Sequence, residues 1–429
     1  MAVPCESHRA AEAGMLRAPS PGSRIRTAML SAELYTSIDQ VGREDWNALA
    51  QPLSEAMSWE FWRIVERAGL NDFRYFHAMF RDPTGRVVAL GSFYSVTTDI
   101  AIFAPAPLRA LLGAVRRVWP GFFKLRMLEW GTPITIVSPP YARVPEVDDA
   151  EVVAAMHRLM RQTAGRQGEL LMLARDFEPP QEGLRGLFAR FGYHWIPSLP
   201  NTYLSVRWRS PEDYLGSMRS YYRSKVLKHL KRNREAGVSH QRVQDFAHLA
   251  DTLCAQWMVV HENASEFQRE VLTPEFYRLL SREMGGKAQV LLFHRGTELV
   301  AHALLLLDGP MLRWLYVGRE VAANDSLYLY VAYSVVCAAI ELGAERLEMG
   351  LTTYAIKQDL GAEVTPIRVA LRSRWGLINP FVGLGYGVLN SVPSPSPREV
   401  FKAAGEAAPK APGRKHGKAR ADPPANPGA

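Results

Sequence analysis

The sequence predicts an α/β fold on a mixed sheet, with antiparallel strands and a parallel crossover. Three observations carry this. Between about 201 and 375 the predicted elements run β, α, α, β, β, β, α, β, α, β. Within that run, AQVLLFHRGTELVAHALLLLDGPMLRWLYVG reads as a meander, with turns at Arg295–Gly296 and Asp308–Gly309. A long apolar helix, NDSLYLYVAYSVVCAAIELGAE, then carries the chain across to RLEMG, a connection that makes a parallel pair.

The first half shows the same order more loosely. EDWNALAQPLS and SWEFWRIVERAG have helical spacing, and the stretches on either side of DPTG (82–85) form a hairpin. FKLRMLEWG is a strand. DAEVVAAMHRLMRQTAGRQG is a helix with Val153, Met156, Leu159 and Met160 on one face and a glycine stop. ELLMLARDF is a buried strand, EGLRGLFARFGY a short helix, and TYLSVRW an alternating strand. MLEWGTPI is similar to LEMGLTTY, which suggests an internal duplication. In the second half VSHQRVQ is a strand and DFAHLADTLCAQWMVVHEN a long helix. TPEFYRLLSREMGG begins on the N-cap Thr273 with Pro274 in the first position. TTYAIKQDLGAE is a short helix and TPIRVALRSRW a final strand. The glycines and Pro380 of GLINPFVGLGYGVLNSV (376–392) predict a strand or loop.

Composition limits the classes open to the chain. The apolar fraction of 47% and charged fraction of 22% are those of a globular protein with a large core. Half of the net charge of +8 comes from 391–429, with seven cations against three acids, so the rest is only mildly basic and DNA is not an expected partner. Cys5, Cys254 and Cys337 are odd in number and widely separated, which predicts neither disulfides nor a zinc site and fits a reducing, cytoplasmic setting. The first thirty residues have no apolar run, so no secretory signal is expected, and no window has the roughly 18 apolar residues of a membrane span. Contact with a membrane surface stays open as a lesser reading. Residues 1–28 and 392–429 are too poor in apolar groups to predict order.

YYRSKVLKHLKRNREAGV concentrates six cations before its first acid, Glu235. On a helix Tyr222, Val226, Leu227 and Leu230 share one face, and Tyr221, Lys225, Lys228, Lys231 and Arg232 gather opposite. No partner helix for a helix-turn-helix is evident. A solvated face is one reading of this density of charge. A phosphate-bearing partner is the other: a nucleotide-sugar pyrophosphate, a lipid-linked phosphate, CoA or the acceptor arm of tRNA.

Three stretches resemble the Fem-type (FemABX) branch of the GNAT acyltransferases: the basic helix RSKVLKHLKRNREAGV, the meander, and RLEMGLTTYAIKQDLGAEVTP. The resemblance covers roughly 200–375 well and 32–200 by element order. It implies two tandem GNAT-like (acyl-CoA N-acyltransferase) domains, 29–200 and 201–391, the second including the basic helix 219–236. It also implies an acyltransferase or aminoacyltransferase that acts on an amine or hydroxyl of an anionic acceptor, in cell-envelope (peptidoglycan) or polysaccharide biosynthesis. The donor would be acyl-CoA or aminoacyl-tRNA, with tRNA then a partner, and no cofactor would be permanently bound. By the same resemblance Lys357 is the active-site lysine; Ile356 stands where the family often has an aromatic residue. The alternative is a degenerate GNAT fold that binds an envelope precursor or anionic lipid without turnover.

The residues add candidates of their own. Acyl transfer to an amine needs a proton acceptor, oxyanion stabilisation and protonation of the leaving group. Tyr354 is i−3 to Lys357, so both can face one cleft and relay a proton. Glu348, at a strand end, is a candidate base, with pairing to Arg346 or Lys357 as the alternative. His261 and Glu262 end a long helix and are candidates for an acceptor pocket; they lack the further ligands of a metal site. Arg319 precedes the apolar helix, where acyl-CoA enzymes hold pyrophosphate, but the Gly-rich run is missing and Asn324 and Asp325 stand at the helix start. His302 reads as a core histidine, and Trp314 and Tyr316 as alternating strand aromatics. No G-x-S-x-G or P-loop motif is present.

Overall fold

The structure is a computed structural model that describes residues 25–26, 30–99, 106–122, 124–134, 137–264, 270–323, 325–389 and 392–403. Cys5, Asn324 and almost all of 1–28 lie outside these residues.

The first half contains β1 (Ile25–Arg26), β2 (Ser31–Tyr35), α1 (Arg43–Ala50), α2 (Trp59–Arg67), β3 (Arg74–Arg81) and β4 (Val87–Asp99). It continues through α3 (Ala106–Arg116), β5 (Lys124–Trp130), β6 (Tyr141–Arg143), α4 (Asp149–Gln167), β7 (Leu171–Phe177), α5 (Arg185–Arg190) and β8 (His194–Ser205). Helices α6 (Pro211–Ser217) and α7 (Ser220–Glu235) lead into the second half. There follow β9 (Val238–Val243), α8 (Ala250–Glu262), α9 (Pro274–Glu283), β10 (Ala288–Arg295), β11 (Glu298–Asp308) and β12 (Met311–Arg319). The chain closes with α10 (Ser326–Glu341), β13 (Arg346–Glu348), α11 (Tyr354–Asp359), β14 (Glu363–Ser373) and α12 (Asn379–Leu389).

One sheet joins these strands in the order β1-β2-β3-β4-β5-β7-β14-β8-β13-β12-β11-β10-β9, with β6 beside β4. Read inward, β2-β3-β4-β5-β7 has the same pattern as β9-β10-β11-β12-β13. Each series ends in a parallel pair, β5 with β7 and β12 with β13. The last strand of each half has crossed to the other: β14 pairs β7, β8 pairs β13, and β8 and β14 pair with each other, all antiparallel. The chain is therefore a duplication with exchanged final strands. This corrects the repeat alignment. By topology RLEMG matches β7, within ELLMLARDF, and not MLEWGTPI, which is β5. The boundary at 200/201 also falls inside β8.

Apolar clusters follow the same plan. One surrounds α4 and the first half's strands, and another lies between α10 and β11–β12. A third is shared, because α1 and α2 meet α8 and α9 over β3, β10 and β11. Local signals set the helix ends. Ser58 caps α2, Thr273 caps α9 ahead of Pro274, and Gly168 closes α4 at a φ of 78°, where a side chain would be strained. Cys254 and Cys337 are buried free thiols on α8 and α10.

Three expectations change. Residues 379–389 are a helix: Val382 and Tyr386, one turn apart, pack on the shared core, and this packing outweighs the glycines. Residues 392–403 are ordered against the fold. Val400 is buried, and Phe401 packs on Trp208 and Tyr214. On α7, Val226 and Asn233 are buried but Leu227 is exposed. The polar His229 and Asn233 take the inner positions by bonding Ser326 at the start of α10.

Candidate active-site cleft

Strands β12 and β13 pair for only three residues, Met311–Arg313 with Arg346–Glu348. There β13 stops, while β12 continues to Arg319. The chain after β13 turns away through Gly350, Thr352 and Thr353, at φ values of 78°, 60° and 50°. For the two threonines this is a costly conformation, of the kind that surrounding structure must hold in place. The parting strands open a cleft of about 400 Å³. Its walls include Trp257 and His261 of α8, Trp314, Tyr316 and Arg319 of β12, Tyr328 of α10, Glu270, the 349–353 loop and Lys357. A bulge opposite Leu304–Leu305 sends Trp314 to the α10 side and Tyr316 to the shared core, so a simple two-residue alternation fails there.

The corresponding gap in the first half is filled. After β5 parts from β7, Arg175 crosses it so closely that a Cβ on Gly131 would lie 2.7 Å from the Arg175 Cγ. The Arg175 guanidinium donates to Thr132 O at 2.6 Å and sits beside Asp176.

Lys357 is buried, and its Nζ donates to Gly350 O at 3.0 Å and Leu351 O at 2.6 Å. Burial pushes its pKa down to about 7, against an opposing pull from Glu348. Near neutrality the amine therefore loses its proton readily. The neutral form still has two N–H groups for the two carbonyls, and it gains a lone pair.

The other predicted residues divide. His261 lines the cleft, stacked on Trp257 at 4.6 Å, and burial lowers its pKa. Arg319 also lines it, donating to Ala323 O and to both carboxylate oxygens of Asp325 at 2.8 and 2.9 Å. Asp325 is the N-cap of α10, so a carboxylate already occupies that helix start. Glu262 is exposed and outside the lining. Tyr354 does not reach the cleft; its hydroxyl donates to Pro200 O at 3.0 Å. Glu348 is not placed as a base. It is buried in an ion pair with Arg313, which also holds Asp308 at 2.5 Å, and it accepts from Asn201 at 2.6 Å. The basic face of α7 lies outside the lining too. Tyr221, Lys228 and Arg232 are exposed, and Lys225 pairs with Asp359 at 2.5 Å.

Glu270 and Trp257 were not singled out from sequence. Glu270 is buried in the cleft wall and accepts from the Tyr316 hydroxyl at 2.6 Å. As a lone acid ahead of a helix it carried no local signal. Trp257 did carry one, since it stands four residues before His261 and shares its helix face.

The model of the acetyltransferase (GNAT) domain matches residues 220–358, from the first residue of α7 to the one after Lys357. The second half carries a GNAT domain. A Mycobacterium tuberculosis protein named "Putative 8-amino-7-oxononanoate synthase 2" is 27% identical over 325 residues, covering 74% of this chain and 42% of that protein. The chain thus spans less than half the length of the curated relatives it matches. Among solved structures, FemX aligns with a TM-score of 0.48 at 13% identity, covering 76% of this chain and 96% of FemX. A tandem GNAT protein from the clavulanic acid biosynthesis pathway aligns with a TM-score of 0.47 at 13% identity, covering 81% of this chain and 99% of that one. In this chain the GNAT domain borrows β8 from the first half, which pairs with β13.

Proposed function

We propose that this protein is an acyltransferase and that the cleft of its GNAT domain is where transfer occurs. An acyl or aminoacyl group moves from a thioester or ester donor, acyl-CoA or aminoacyl-tRNA, to an amine or hydroxyl of an anionic acceptor. The observation that carries this is the opening of β12 from β13 directly onto buried Lys357. Beyond Arg313 no strand pairs with that edge of β12 among the described residues, and the cleft lies along it. The acceptor nitrogen attacks the carbonyl carbon, the new C–N bond forms, and the bond to sulfur or oxygen breaks. Neutral Lys357 takes the proton from nitrogen and returns it to the departing thiolate or alkoxide.

The acceptor proposed is an envelope or polysaccharide precursor, because the exposed cations of α7 suit its phosphates. A second reading is binding without turnover. It is favoured by Asp325, whose carboxylate holds the α10 start where a donor phosphate would otherwise sit. Incubation with a panel of acyl-CoAs and charged tRNAs, with product detected by mass, tests the proposal. Turnover that Lys357→Ala abolishes supports it; saturable binding with no turnover on any donor supports the second reading.

A further inference from the structure

Of the thirteen large apolar side chains exposed among the described residues, eight fall in two segments, 106–122 and 374–389. Chance scatter over the surface would not group them so. Their roots are neighbours. Leu170 N donates to Arg126 O at 3.2 Å near the start of β5, and Arg374 N donates to Leu170 O at 2.9 Å just past β14. Both segments therefore leave the same end of the sheet.

Val118 and Trp119 follow α3, at 89% and 63% exposed, and Leu377 and Phe381 lie at the start of α12, at 92% and 70%. Packing does not require this exposure. On α12 the inner face is already supplied by Val382 and Tyr386, whose hydroxyl donates to Pro197 O at 2.8 Å. The charge pattern is one-sided. The two segments contain four arginines and no acid. Of the acids at that end, Asp99 pairs with Arg116 and buried Glu169 with Arg74 and Arg126, while exposed Asp72 accepts from Thr97 N at 3.3 Å. Apolar tips that include tryptophan, among segments whose arginines outnumber the nearby acids, fit the boundary between headgroups and acyl chains in an anionic bilayer. No helix described here is long and apolar enough to cross a membrane, so this contact is with the surface.

We infer that this end of the sheet docks the protein on an anionic membrane surface, with Trp119, Leu377 and Phe381 inserted. The inference does not depend on the chemistry proposed for the cleft. The test is co-sedimentation of the full chain with phosphatidylcholine vesicles, with and without phosphatidylglycerol. Wild type should bind the anionic vesicles. Leu377→Ser/Phe381→Ser should lower the partition coefficient at least about tenfold, with circular dichroism unchanged because both residues are exposed. Arg117→Glu/Arg374→Glu should abolish the preference for anionic vesicles. Binding that the serine variant leaves intact would overturn the inference and point to the basic C-terminal residues. Absence of binding would overturn it as well, and so would a dimer in solution that the same serine substitutions dissociate.

Discussion

The amine of Lys357 is held by the carbonyl of Leu351, six residues back, at 2.6 Å. The bond spans a loop in which Thr352 and Thr353 both have positive φ, so lysine and strained loop fix one another. Burial lowers the pKa of Lys357, and the pull of Glu348 offsets this only in part.

Loss of this amine should stop the chemistry before it harms the fold. Lys357→Ala is expected to lower kcat by about 10²–10⁴-fold while the far-ultraviolet spectrum is unchanged. Lys357→Arg should not restore activity, since a guanidinium keeps its proton. In the wild type kcat/KM should rise with pH through about 7, as the neutral amine becomes populated. A rate that is flat across that range, or that falls with rising pH, would remove Lys357 as the base.

The same shift predicts a trend in stability. The folded-state pKa lies below the ordinary value of 10.5, so between about 7 and 10.5 the unfolded chain holds the proton and the folded chain does not. The stabilising contribution is full above 10.5 and is lost as pH falls through about 7. Wild-type Tm relative to Lys357→Met should therefore climb between pH 7 and 10. A constant difference would contradict the shift.

Glu348 is expected to matter for stability. Glu348→Ala leaves the buried Arg313 guanidinium with Asp308 alone and should cost about 3 kcal/mol in urea unfolding. Full stability combined with a hundredfold loss of kcat would return Glu348 to the role of base.

The ion pair that holds Glu348 is not legible in the sequence. Meander, crossover helix and glycine-ended strand are local patterns, and they gave the GNAT-like half with its caps. A strand end facing a cleft gave Glu348, but its partner Arg313 stands 35 residues away, and only the pairing of β12 with β13 joins them. The exchange of β8 and β14 was hidden for a similar reason. Each strand has ordinary alternation and can pair within its own half, so the choice is made by tertiary packing. The α12 helix depends on a face that the shared core supplies.

Gly318 offers a test of how tightly the cleft wall is set. It stands opposite His302 in the β11–β12 pair, and a Cβ there would lie 2.1 Å from the His302 ring and 2.7 Å from the backbone N of Trp257. His302 cannot yield easily, since its ring nitrogens are bonded to Tyr277 and Gln256 and burial lowers its pKa to about 3. Gly318→Ala should cost about 3 kcal/mol and raise KM by displacing Trp257. Adding His302→Ala should recover part of the stability, and a Gly318→Ala protein as stable as wild type would contradict the packing.

The exchanged strands make a last prediction. Residues 201–391 alone keep only the second part of β8, while β14 would lose its partner β7. Residues 29–200 alone would lack β14 beside β7 and would expose the face that α1 and α2 bury against α8 and α9. Expressed separately, neither half should show a cooperative thermal transition, whereas the intact chain should unfold in one. Co-expression of 29–208 with 209–403 keeps β8 whole and should restore a folded heterodimer. A half of 201–391 that folds alone, with dispersed amide resonances, would show that the exchange is not needed for the GNAT domain to stand.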